Sequence, residues 1–242
     1  MANPEDQAAD QSATQRDARA FLEAEVRYGF LSADKIHAEL IDRFGKISAP
    51  EGKEWKELIR QTSIEHLKSV EGEEEQHDFF KLAKAFDHLN RGGIISVHRA
   101  GADLQEGFAA VRDIMQEYQA TGIAVRGFCF YHDADLEMAT DPSARQLYLA
   151  FDSIDKNDGT ALMVGRDIVQ VLEAAGLSVR WNENLEERIL IDYINWKKTP
   201  DANEWGARRA IVVARKTMDS IDRRELSEKY KKKSPAWMFW KR

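Results

Sequence analysis

The chain has 242 residues, 43% of them hydrophobic and 32% charged, enough apolar material to exclude disorder and membrane embedding for its bulk. Its formal charge of −7 argues against nucleic-acid binding, which wants a basic face. Cys129 is the only cysteine, so an intramolecular disulfide and a cysteine zinc cage are both excluded.

Residues 1–17 lack the basic start and apolar stretch of a signal peptide and read as a polar, disordered arm. No apolar run reaches the roughly 18 residues that span a bilayer, so the cytoplasm is the expected location. A helical subdomain is expected over residues 18–93. Phe21, Leu22 and Val26 begin a short helix that ends near Gly29. Ser32 can cap a second, in which Ile36, Leu40, Ile41 and Phe44 recur at helical spacing. Pro50 opens a third, with Trp55, Leu58, Ile59, Thr62 and His66 on one face. A fourth places Phe79, Leu82, Ala83 and Phe86 on a stripe and stops at Arg91-Gly92-Gly93.

From Ile94 the pattern changes to strands. Ile94 to Val97, Gly127 to Tyr131, Gln146 to Phe151, Leu177 to Trp181 and Arg188 to Ile194 read as five of them. Between them, Asp103 to Gln119 form a helix with Leu104, Phe108, Val111 and Met115 on its apolar face. Asp135 to Ala139 make a short helical turn, and Asn157-Asp158-Gly159 lead into a helix carrying Val164, Ile168, Val171 and Leu172. The class is α+β. The order β-α-β-β-α-β with one extra strand predicts a split βαβ, ferredoxin-like sheet domain over residues 94–200. Residues 201–242 form a C-terminal extension, whose residues 222–242 hold eight Lys or Arg against three Asp or Glu.

His98 and His132 each close a predicted strand, and Asp133, Asp135 and Glu137 follow the second. If the strands are neighbours, two imidazoles and a carboxylate could converge on a divalent metal such as zinc or iron. The plainer reading is that both histidines cap strand ends. Glu74-x-x-His77 has the spacing of half a di-metal site but lacks a second copy, so His77 and His88 are expected on a solvated helix face. His66 is expected as a hydrogen-bonded core histidine, and Cys129 as an inert strand thiol.

Gly165 and Arg166 are read as beginning a helix after the Asn157-Asp158-Gly159 turn, where free N–H groups and partial positive charge could hold a phosphate or carboxylate. Close packing of Gly165 and pairing of Arg166 with a carboxylate is the plainer alternative. The chain holds no phosphate-cradling glycine motif and no nucleophile elbow. Lys231, Lys232 and Lys233 flank Trp237, Phe239 and Trp240, a composition suited to a partner groove or membrane interface, or to docking on the protein's own surface.

The strand Gly127 to His132, Asp135 and Glu137, Leu147 to Phe151, Val164-Gly165-Arg166, and Val179, Trp181, Arg188 and Ile189 together form a recognisable pattern. It resembles a bacterial domain family of unknown function, and the stretch from about Phe79 through Gly101 is similar as well. The resemblance implies no activity.

The leading expectation is therefore a non-enzymatic cytoplasmic binding or regulatory module that acts through protein surfaces, with no cofactor. A protein partner or self-association is the expected mode. One alternative is a metal-assisted hydrolase built on His98 and His132 with Asp133 or Asp135. Another is a peripheral membrane or assembly protein that uses the tail.

Overall fold

Apolar residues three and four apart build the first three helices into a layer of their own. The computed structural model describes residues 4–45, 49–71 and 77–217. Helices α1 (Pro4–Tyr28), α2 (Ala33–Phe44) and α3 (Ala49–Val70) pack around Ala18, Leu22, Val26, Ile36, Leu40 and Ile59. Ser32 caps α2 as expected, its hydroxyl accepting from the Lys35 N–H. The expected disordered arm is corrected: residues 4–17 continue α1. Ala, Gln and Arg are good helix formers, and the helix is anchored further along by Ala18, Leu22 and Val26.

The fourth helix, α4 (Asp78–Arg91), behaves differently from the first three. Its Phe79, Leu82, Ala83 and Phe86 share one core with the sheet, so the helical layer proper ends before it.

The remaining elements are β1 (Ile94–Val97), α5 (Leu104–Thr121), β2 (Gly127–Phe130), α6 (Asp133–Thr140), β3 (Leu147–Ser153), α7 (Asp158–Ala174), β4 (Ser178–Arg180) and β5 (Ile189–Asp192). Among the described residues a further helix, α8, covers residues 207–217. The fold is α+β, helices first and a five-stranded mixed sheet after. The sheet order is β1-β2-β3-β5-β4, with β1 and β2 parallel and the other pairs antiparallel. A split βαβ arrangement has a strand between its parallel pair, whereas here β1 and β2 bond directly. The ferredoxin-like order is thus corrected, although all five expected strands form.

Strand alternation divides the sheet's two faces. Cys129, Tyr131, Leu147, Leu149, Ile189 and Ile191 face α4 and α7, while Ile95, Val97, Phe128, Phe130 and Ala150 face the side of α5 and α8. The outer edge of β1 is closed by Asn90 of α4, whose amide donates to the Ser96 carbonyl and accepts from the Ser96 N–H, each at 2.9 Å. Such a clamp satisfies strand-edge groups that would otherwise recruit another chain. Among the described residues no helix is long and apolar enough to cross a membrane.

Candidate functional site

Because β1 and β2 run parallel side by side, their following loops meet at one end of the sheet, where His98, Arg99, Tyr131, His132 and Asp133 all lie. His98 is only 2% exposed, and its Nδ1 sits 2.9 Å from the Tyr131 hydroxyl. Phe79, Phe86 and Trp205 surround its ring. Burial, aided by the nearby positive charges of Arg209 and Lys198, holds His98 well below the ordinary histidine range, so it is neutral at pH 7.

Arg99 takes a left-handed backbone (φ 49°) and spans two elements. Its Nη1 and Nη2 donate to the Glu25 carboxylate on α1, Nη1 at 2.8 Å, and its Nε donates to Asp133 at 2.6 Å. Tyr28 lies beneath the guanidinium at 5.5 Å. Desolvation raises Glu25 above the usual carboxylate range even with Arg99 beside it. This triad ties the helical layer to the sheet.

His132 precedes α6, and its N–H donates to the Asp135 carboxylate at 3.1 Å. The His132 Nε2 lies 3.3 Å from that same carboxylate, whose other oxygen accepts from Arg188 at 2.8 Å. The structure therefore brings His132 and Asp135 together, but gives His98 to Tyr131 and Asp133 to Arg99. Among the described residues no three His, Cys, Asp or Glu side chains are grouped to hold a metal ion. Nε2 of His98 and Nδ1 of His132 meet no hydrogen-bond partner among those residues.

Lys198, which sequence reasoning passed over, is 1% exposed. Its ammonium lies 4.9–5.2 Å from the rings of Phe79, Phe30 and Trp205, bonded to the Thr199 carbonyl and to Asp201. Burial lowers its pKa. A lysine beside another lysine at 197 reads as surface, and only the folded chain shows otherwise.

His66 Nε2 meets the Lys198 carbonyl at 2.9 Å, so it is hydrogen-bonded as expected, but it is half-buried rather than a core residue. His77, expected in solvent, is buried, its ring 4.5 Å from that of Phe80, while His88 is exposed. Cys129 donates to the Ser96 hydroxyl at 3.3 Å, and burial pushes its thiol up to about 12. Gly165 and Arg166 do not open a helix: α7 begins at Asp158, capped by Asn157, and both lie two turns inside it. A Cβ on Gly165 would stand 2.4 Å from the Trp181 ring, and Arg166 pairs with Glu183 through two hydrogen bonds. Glu74 and the tail residues Lys231, Lys232, Lys233, Trp237, Phe239 and Trp240 lie outside the described residues.

A different feature lies on the opposite face of the sheet, between α5 and the turn after β3. Here an apolar cavity of about 590 Å³ is lined by Phe108, Val111, Met115, Phe128 and Ile154. Val111 is buried as the helical stripe predicts, but Leu104 and Phe108 are each 40% exposed. Phe108 stands edge-on to both Phe128 and Phe130. Gly107 lets α5 approach this closely, since a Cβ there would lie 2.1 Å from the Phe130 ring. Gln105, Arg112, Ser153 and Lys156 line the cavity as well.

The family described as a domain of unknown function (DUF6891) matches residues 11–200. The chain belongs to the DUF6891 family. The DUF6891 match begins within α1, ends beyond β5 and includes both the strand-end cluster and the α5 groove. It also encloses the stretch from Gly127 to Ile189 that carries the sequence resemblance. No curated protein and no solved structure matches the chain.

Proposed function

We propose that this DUF6891 protein is a non-enzymatic binding module whose working surface is the groove between α5 and the sheet. One observation carries the reading: a cavity of binding-site size, walled by aromatic and aliphatic side chains, stands open beside a partly exposed Phe108. The strand-end cluster supports it from the other side, because the polar groups there bond mainly to one another and lock the fold. The buried single thiol suits a reducing compartment, and the cytoplasm is the proposed location.

Titration with 8-anilinonaphthalene-1-sulfonate, whose fluorescence rises in apolar surroundings, tests the reading. Saturable binding at one site is expected, weakened about tenfold or more in Phe108→Ser, which should lose some thermal stability but keep the far-UV circular dichroism of the parent. Equal dye binding by both proteins would contradict it.

The metal-assisted alternative keeps one observation in its favour: Nε2 of His98 and Nδ1 of His132 meet no hydrogen-bond partner among the described residues. It requires about one equivalent of bound metal in protein purified without chelator, lost in His98→Ala/His132→Ala.

A further inference from the structure

We infer that the α5 groove takes an amphipathic anion, with an apolar body laid on Phe128 and a carboxylate head held by Arg112 and Lys156; this rests on the groove being the binding surface. The first support is the chemistry of the helix face. Gln105, Phe108, Arg112 and Met115 fall at i, i+3, i+7 and i+10 of α5, so hydrogen-bond donors alternate with apolar walls along one stripe. Arg112 is exposed and makes no ion pair or hydrogen bond with any described residue, so its guanidinium is available for a planar carboxylate.

The second support is the way Lys156 is set. It takes a left-handed backbone (φ 55°), uncommon for a residue with a side chain, in the turn after β3. Asp155 secures that turn by accepting from the Asn157 N–H at 3.1 Å and the Thr160 hydroxyl at 2.9 Å. The Lys156 ammonium is thereby placed 5.7 Å from the centre of the Phe128 ring, on the groove floor, and 2.7 Å from the Asp152 carboxylate. Asp152 satisfies one of three ammonium donors and leaves two for a ligand. Among the described residues, two cationic side chains line the cavity and no carboxylate does. An anionic head is therefore matched, and a cationic one opposed.

Three compounds with one apolar body separate head from body: 4-phenylbutyrate, 4-phenylbutan-1-ol and 4-phenylbutylamine. Each is titrated against the full chain loaded with 8-anilinonaphthalene-1-sulfonate, and its displacing concentration is read. The carboxylate is expected to displace the dye at about tenfold lower concentration than the alcohol, and the amine least well of the three. Arg112→Gln should remove most of the advantage of the carboxylate and leave the alcohol unchanged. Equal displacement by all three heads, preference for the amine, or an Arg112→Gln protein that keeps the full carboxylate advantage would overturn the inference. If none of the three displaces a dye whose binding depends on Phe108, the anion preference falls and the groove stands as the binding surface. If dye binding ignores Phe108, both fall.

Discussion

Replacing Arg99 with alanine is expected to cost about 3–5 kcal/mol of folding stability, because Glu25 is then left buried without its cation. Glu25 is 2% exposed and cannot recover its hydration without pulling α1 away from the sheet. The loss has a predicted pH dependence. Desolvation holds the folded-state pKa of Glu25 above its ordinary value, so the folded protein binds more protons than the unfolded one across that interval. The contribution of Glu25 to stability is therefore greatest at low pH and falls as pH rises through the raised folded value. Removing Arg99 enlarges the rise. Urea denaturation should show a larger deficit at neutral pH than near pH 5, and Glu25→Gln added to Arg99→Ala should restore part of it at neutral pH. A deficit indifferent to both would mean that the triad does not hold the two layers together.

Gly29→Ala should be nearly as damaging, for a backbone reason. Gly29 ends α1 with φ 72°, and a Cβ there would sit 2.0 Å from the Lys198 carbonyl oxygen. Left-handed strain of about 1–2 kcal/mol and overpacking of about 1–3 kcal/mol act together. Backbone rather than a side-chain tip blocks the way, so relief requires moving the segment that carries Trp196 and Lys198. Gly122→Ala is the matched control: it is equally left-handed at φ 72° but opens onto free space. Thermal melts should therefore rank Gly29→Ala well below Gly122→Ala. Equal midpoints would show that the 198 segment is not pinned against α1.

These two sites show which parts of the fold were legible in the sequence. The strands and α2, α4, α5 and α7 follow from local periodicity and caps, and Ser32, Gly92 and Asn157 mark their ends as expected. Strand order depends on pairings across long stretches of chain, and no local signal separates direct β1–β2 neighbours from a split pair. The N-terminal part of α1 was missed because it carries polar helix formers without an apolar stripe.

The candidate histidines were found by residue type alone, yet their roles depend on partners far along the chain. Arg99 meets Glu25 from 74 positions away, and His66 meets Lys198 from 132. The groove was harder still to foresee. Leu104, Phe108, Val111 and Met115 form a single apolar stripe in sequence, and periodicity cannot show that the sheet covers Val111 while leaving Phe108 partly open. The close approach allowed by Gly107 and the left-handed turn at Lys156 create that difference, and both are tertiary facts.

The most direct test of the account is where a ligand perturbs the protein. Backbone amide NMR of the labelled chain, titrated with 4-phenylbutyrate, reports every described element at once. The predicted shifts fall on residues 105–115 of α5, on Phe128 and on Ser153 to Lys156, with those around His98 and His132 unmoved. Shifts centred instead on residues 98–103 and 131–135 would contradict the account, making the strand-end cluster the working site and the groove mere surface.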